Sequence, residues 1–401
     1  MVTLTRASTL KRRRAIRKRR IIGTLMVFCL LILLLFGAIY SLFHKKGITK
    51  ATEQKHQTES LIRDDKPNIT AKKNAKTNHS PKNIVKSKEI DDYLKSIHFN
   101  GTAVVVKNGQ FVINKGYGFA NREKQAPDNP NTIYYIGSIT KSFVSASFMQ
   151  LQEKGLVNTN DLLSKYLPSF PHANEIKIYN LLTHTSGIRE HMETSEKLSR
   201  EQLMKKIGKG AQTLLFKPGT QWNYSDSNYA ILGYIIEKVT GESLHDYIRG
   251  HIFKPAQMKD SGFGEALYHS PNQSIGYKLK DNSIYTPGMP DFSQLFGCGD
   301  IYTTASDLYK FDLAIESGKL FSKDSFNQIY TPNKSNYGFG WYVDPGSYSS
   351  HGVMPGWNTL NSYSKSGNIY VVLLSNIQNN IQSMGVVNNN IYMKLANFQG
   401  S

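Results

Sequence analysis

The sequence predicts an α+β domain over residues 90–401, reached through a basic cytoplasmic tail (1–20), one transmembrane helix (21–43) and a flexible basic tether (44–89). Three observations carry this expectation. Strand-like runs stand at both ends of the 90–401 stretch and helical periodicity fills the middle, so one sheet must join the two chain ends. A long uncharged apolar run precedes the domain. The positive charge is confined to the N-terminal arm: residues 1–90 hold 21 Lys+Arg against 5 Asp+Glu, whereas the remaining residues hold 28 against 25.

Ile21 to Phe43 carries no charge and is rich in Leu and Ile. As a helix it would be roughly 35 Å long, enough for a hydrocarbon core of about 30 Å. The run Lys11-Arg12-Arg13-Arg14-Ala15-Ile16-Arg17-Lys18-Arg19-Arg20 before it predicts a cytoplasmic N-terminus and a domain outside the cell. The alternative is a cleaved signal peptide, but the run is long for one and no small-x-small cleavage site follows. Residues 44–89 are polar, rich in Lys, Asn, Thr and Ser, and lack hydrophobic periodicity, as expected of a solvated spacer.

Inside the domain, Thr102 to Val106 and Phe111 to Asn114 flank Lys107-Asn108-Gly109-Gln110, a hairpin signal. Ser138 opens a helical stretch with Val144, Phe148 and Leu151 on one face, ended by Gly155. A second helix is predicted from near Asn228 to Val239, closed by Gly241, and Ser243-Leu244-His245-Asp246 reads as the cap of a third. Ile369 to Leu374 is a continuous apolar run that suits a central buried strand, and 377–398 fits a final helix.

The near-neutral domain argues against a nucleic-acid partner, because a phosphate-tracking surface needs clustered cations. The eleven histidines show no metal-ligand spacing, so neither a metal nor another cofactor is expected. Of the two cysteines, Cys29 falls in the apolar run, so no disulfide staples the fold. Cys298 stands in a glycine-flanked loop with no adjacent histidine and reads as a small buried residue.

The chemistry points to Gly137-Ser138-Ile139-Thr140-Lys141. At a spacing of three on a helix, Ser138 and Lys141 share one face. A serine hydroxyl needs a neighbouring base to become a nucleophile, and a partly buried lysine gives up its proton readily. S-x-x-K alone is a common pattern. Its neighbours add specificity: Leu181-Leu182-Thr183-His184-Thr185-Ser186-Gly187, then Pro218-Gly219-Thr220-Gln221-Trp222-Asn223-Tyr224-Ser225-Asp226, then Gly297-Cys298-Gly299-Asp300-Ile301-Tyr302-Thr303-Thr304. Together these motifs closely resemble the serine β-lactamase and penicillin-binding-protein-like hydrolases of the class C type, from about Ile90 to the C-terminus. The resemblance implies an antiparallel sheet flanked by helices plus a helical subdomain. It also implies an acyl-enzyme mechanism with Ser138 as nucleophile, Lys141 as base and Tyr224 shuttling protons. A phenol beside an ammonium has its phenolate favoured, which suits that role, although Tyr224 could also simply pack at the helix entry. His184 is expected to be a turn residue.

Two motifs depart from the family pattern. Where Lys-Thr-Gly or His-x-Gly is usual, alignment on Pro355-Gly356-Trp357 gives Ser350-His351-Gly352 followed by Val353. The N–H groups of Ser138 and Val353 would then form the oxyanion hole. His351 either replaces part of the missing cation or only packs. Tyr-x-Asn has become Tyr224-Ser225-Asp226. An amide donates to a substrate carbonyl, whereas an ionised carboxylate only accepts, so Asp226 favours a substrate ammonium; it could also cap the helix. A free ammonium without a free carboxylate describes D-alanine esterified to teichoic acid, and the sequence is similar to the teichoic-acid D-alanine esterases of Gram-positive envelopes. The rival expectations are a D,D-carboxypeptidase acting on peptidoglycan, a β-lactamase, which the weakened carboxylate recognition suits poorly, and a catalytically silent envelope-binding module.

Overall fold

A computed structural model describes residues 82–281 and 283–398. The tail, the apolar run and the tether up to residue 81 lie outside the described residues. Among the described residues no helix is long and apolar enough to cross a membrane.

A seven-stranded sheet organises the domain: β1 (Ile84–Val85), β2 (Gly101–Lys107), β3 (Gln110–Tyr117), β4 (Tyr342–Val343), β5 (Ser347–Met354), β6 (Trp357–Ser364) and β7 (Ile369–Ser375). Their order is β1-β3-β2-β7-β6-β5-β4, with every neighbouring pair antiparallel. The predicted hairpin is β2–β3, and its turn carries positive φ at Asn108 and Gly109, as a tight hairpin requires. β7 lies at the centre against β2, so strands from the N- and C-terminal parts of the domain meet in one sheet as expected.

The apolar runs are continuous because both faces of the sheet are covered. Val104, Val106, Val372 and Leu374 point into one core with α2 (Thr140–Glu153), α4 (Asp226–Thr240) and α6 (Ala305–Glu316). Ala103, Val105, Val371 and Leu373, one residue out of phase, point into a second core with α1 (Lys88–Ser96) and α7 (Met384–Ala396). Polar side chains buried in the sheet need a partner, as Thr102 has in the Tyr134 hydroxyl at 2.8 Å and Asn361 in Asp312 at 2.7 Å. The helical part includes α3 (Arg200–Gly210), α4, α5 (Leu244–Ile248) and shorter helical segments such as Ile178–Leu182.

Several boundaries differ from those expected. The domain starts before residue 90, because β1 pairs with Ile113 and Asn114 and the Ser87 hydroxyl caps α1 by accepting from Ile90 N–H at 3.3 Å. The last residues assigned to the tether therefore belong to the fold. Ser138 sits in a 3₁₀ turn, Gly137–Ile139, that leads into α2. The final helix is limited to Met384–Ala396, starting where Ser383 supplies an N-cap. α4 ends at Gly241 in the left-handed conformation and α5 starts from Ser243, which accepts from Asp246 N–H, both as read from the sequence.

Candidate active site

Two glycines bring the Ser138 turn against strand β5. Gly137 has φ +51°, and a Cβ there would lie 2.9–3.1 Å from backbone atoms of Val353. A Cβ on Gly352 would lie 1.8 Å from the Ile136 carbonyl oxygen, so only glycine lets strand and turn touch. The Thr359 hydroxyl, donating to Ile136 O at 3.1 Å, fixes the same junction from β6.

Lys141 stands in the first turn of α2 and is fully buried. Its Nζ donates to Ser138 Oγ at 3.0 Å and to Cys298 O at 2.9 Å. A third oxygen, Asp226 Oδ1, lies 2.6 Å away as a charge contact rather than a directed hydrogen bond. Burial pushes the Lys141 ammonium down, but the Asp226 carboxylate more than offsets this, and the net shift is well above its ordinary value. The expectation that Lys141 loses its proton easily is thus corrected: in the resting site it is an ammonium paired to Asp226.

Asp226 is the first residue of α4, and the N-cap position belongs to Ser225. The capping reading of Asp226 fails because its side chain turns towards Lys141; its backbone N–H donates instead to Glu190 Oε2 at 2.7 Å. Tyr224 lies just before this helix, with its ring 4.9 Å from Lys141 Nζ. Burial raises the phenol, Lys141 lowers it and Asp226 raises it, and the net shift is upward. The expected phenolate is therefore not favoured, since desolvation outweighs the neighbouring ammonium.

His184 lies beneath Tyr224, ring centroids 4.3 Å apart, in a left-handed backbone conformation within a turn. Its Nδ1 accepts from Ser225 N–H at 3.2 Å and faces the Asn228 amide at 3.1 Å. Burial first, and Lys141 second, hold its imidazole well below the ordinary value, so it is a neutral wedge that sets the angle of Tyr224. Cys298 is buried as expected, and burial pushes its thiol well up. Its carbonyl, by contrast, is a direct partner of Lys141.

Above Ser138 opens a cleft of about 240 Å³ lined by Tyr224, Tyr337, Tyr342, Ser350, His351 and Val353. Ser350 is buried with its Oγ unpartnered, and His351 is exposed at the rim, its Nε2 2.7 Å from Asn358 Oδ1. Gly352 is the contact point with the turn, and Val353 is 44% exposed beside it. Among the described residues lining the cleft there is no Lys or Arg. The structure therefore brings Ser138, Lys141, Tyr224 and Asp226 together around one ammonium, with Ser350, His351 and Val353 on the opposite wall.

Sequence reasoning missed the acidic surroundings. Glu190 and Glu193 flank Asp226; Glu193, Asp226 and Cys298 place their polar atoms within 4.8 Å of one another. Partial burial and the Asp226 charge push the Glu190 carboxyl up to about 8, and the same causes raise Glu193. The stretch Arg189-Glu190-His191-Met192-Glu193 resembles any polar loop in sequence; only the fold brings it to α4. The aromatic wall of Tyr337 and Tyr342 likewise had no local signal.

The Beta-lactamase family model matches residues 87–392. The chain belongs to the Beta-lactamase family. It is 44% identical to the putative penicillin-binding protein PbpX of Bacillus subtilis, over 98% of this chain and 99% of that relative. It is 29% identical to the teichoic acid D-alanine hydrolase of Staphylococcus aureus, over 84% of this chain and 85% of that protein. Superposed on the crystal structure of FmtA from Staphylococcus aureus, it gives a TM-score of 0.71 at 28% identity, covering 79% of this chain and 89% of that one. As a Beta-lactamase family member with hydrolase relatives, the chain is a serine hydrolase of the β-lactamase/transpeptidase-like α+β fold.

Proposed function

We propose that this serine hydrolase removes D-alanine esters from teichoic acid at the outer face of a Gram-positive cell membrane, anchored by the helix expected over 21–43. The observation that carries the reading is Asp226, an anionic group 2.6 Å from the buried Lys141, whose Nζ donates at 3.0 Å to the Ser138 hydroxyl at a cleft lined by no Lys or Arg among the described residues. A substrate with a free carboxylate would meet the Asp226 charge unfavourably, whereas an aminoacyl ester brings the matching ammonium.

In the mechanism, the substrate ammonium takes Asp226 from Lys141. Losing its counter-charge and gaining a like charge nearby, the buried Lys141 releases its proton to solvent and becomes the base. It accepts the Ser138 hydroxyl proton as Oγ attacks the ester carbonyl. The N–H groups of Ser138 and Val353 receive the oxyanion. Tyr224, protonated at neutral pH, donates to the departing polyol oxygen and recovers its proton from Lys141. Water then attacks the D-alanyl–Ser138 ester, with Lys141 taking its proton and returning one to Oγ, and D-alanine leaves.

Release of free D-alanine from D-alanylated lipoteichoic acid tests the reading; a rate equal to that of Ser138→Ala removes it. Relationship to a putative penicillin-binding protein favours a second reading, D,D-carboxypeptidase action on peptidoglycan stem peptides. Labelling of Ser138 by a fluorescent penicillin, with D-alanine released from stem peptides and not from the polymer, would select it. Failure to label with a fluorophosphonate would leave only an envelope-binding module.

A further inference from the structure

Away from the catalytic cleft, α3, α4 and residues 166–171 enclose a groove of about 590 Å³, more than twice the volume over Ser138. Its floor is apolar and aromatic, with Phe170, Pro171 and Tyr234. Its rim carries Lys205 and Lys209, one turn apart on α3, and Lys238 near the end of α4. None of the three lysines takes part in an ion pair among the described residues, and Lys238 lies over the Tyr234 ring at 5.1 Å. Gly208 lies between the two α3 lysines. A glycine inside a helix costs about 1 kcal/mol relative to alanine. Here a Cβ would meet Phe170 and Pro171 only at an ordinary 3.6 Å, so crowding does not demand the glycine. The effect of Gly208 is to keep the groove open.

We propose that this groove binds the polyol-phosphate backbone of an anionic polymer; that the polymer is the one carrying the scissile D-alanyl ester rests on the reading above. Phosphodiesters meet the three unpaired ammonium groups, and the hydrocarbon of the polyol packs on the aromatic floor. The groove shares α4 with the active site. Tyr234 and Lys238 lie eight and twelve residues beyond Asp226, which is about 12 and 18 Å along the helix. A chain held in the groove can thus present a neighbouring unit to Ser138, raising the local concentration of esters without touching the chemistry.

The test uses the full chain in detergent and, as probe, poly(glycerol phosphate) stripped of D-alanyl and lipid groups, so binding is read independently of hydrolysis. The Lys205→Gln/Lys209→Gln/Lys238→Gln variant should bind at least tenfold more weakly at low salt, with the slope of log affinity against log salt reduced by about 2 for three lost contacts. Gly208→Leu should weaken binding with the slope largely kept. With D-alanylated polymer as substrate, both variants should raise KM and leave turnover of a small D-alanyl ester unchanged. Unaltered affinity and slope in the triple variant would overturn the proposal. So would loss of binding to phosphatidylglycerol vesicles with polymer binding intact. If wild type binds the stripped polymer but releases no D-alanine, the esterase reading fails and the groove stands.

Discussion

Replacing Asp226 by asparagine removes one negative charge and almost no volume, and it isolates the interaction that sets the protonation state of Lys141. At 2.6 Å and an effective dielectric of about 20, the Asp226–Lys141 attraction is at most roughly 6 kcal/mol, opposed by burial of the ammonium. In wild type the attraction wins and Lys141 is held above its ordinary value. In Asp226→Asn only burial and weaker neighbours remain, so the Lys141 value falls. The assay is the pH profile of Ser138 acylation by a small uncharged ester or a fluorophosphonate, reagents that bring no ammonium. The rising alkaline limb should move to lower pH in the variant, because the base form appears earlier. With a D-alanyl ester the effect reverses. A charge-assisted hydrogen bond worth about 1.5–3 kcal/mol is lost, so kcat/KM should drop roughly 10- to 150-fold. Stability changes with the opposite pH sign. The wild-type pair stabilises below the unfolded lysine value and is lost only as pH rises through the raised folded one, whereas the variant must bury an unpaired ammonium and should melt lower as pH falls. An acylation profile that does not move, together with an undiminished D-alanyl esterase rate, would refute the reasoning.

Three further outcomes follow from the site. Tyr224→Phe should lower ester turnover by about 10²–10⁴, the usual contribution of a positioned acid, with little change in KM, as measured by steady-state kinetics. Glu190 has its folded carboxyl pushed up to about 8, so the folded state holds a proton that the unfolded state has released. Wild type should therefore lose thermal stability as pH rises from about 4.5 to 8, and Glu190→Gln should remove that part of the slope in melting temperature against pH. Cys298→Ala should retain activity and thiol reagents should not inactivate wild type, since the carbonyl and not the buried thiol contacts Lys141.

The parts of the fold that could be read from sequence are those governed by local chemistry. Asn108-Gly109 announced the hairpin, Gly241 and Ser243 marked a helix end and the next start, and the uninterrupted run at Ile369–Leu374 signalled a strand covered on both faces. The N-terminal boundary was missed because Ile84–Val85 is a two-residue strand, too short for any alternation to appear, and only its pairing with β3 reveals it. In the site, Ser138, Lys141, Tyr224 and Asp226 could be named because motif spacing identifies residues. Their protonation could not, because it depends on which charges fold together. Asp226 is 85 residues from Lys141 in sequence, and it reverses the proton affinity that burial alone would give. Glu190 and Glu193 acquire significance only when their loop packs on the first turn of α4.

The order of the strands also separates the site mechanically from the point where the chain enters the domain. β1 lies at one edge of the sheet and β5, which flanks Ser138, lies five strand positions away, about 24 Å at the usual spacing. A pull on residue 82 would be borne first by two residues of edge strand and would peel β1 from β3, at the border remote from the catalytic wall. Ser138, Lys141 and Asp226 can therefore keep their contacts at 2.6–3.0 Å while the entry strand frays or is tugged.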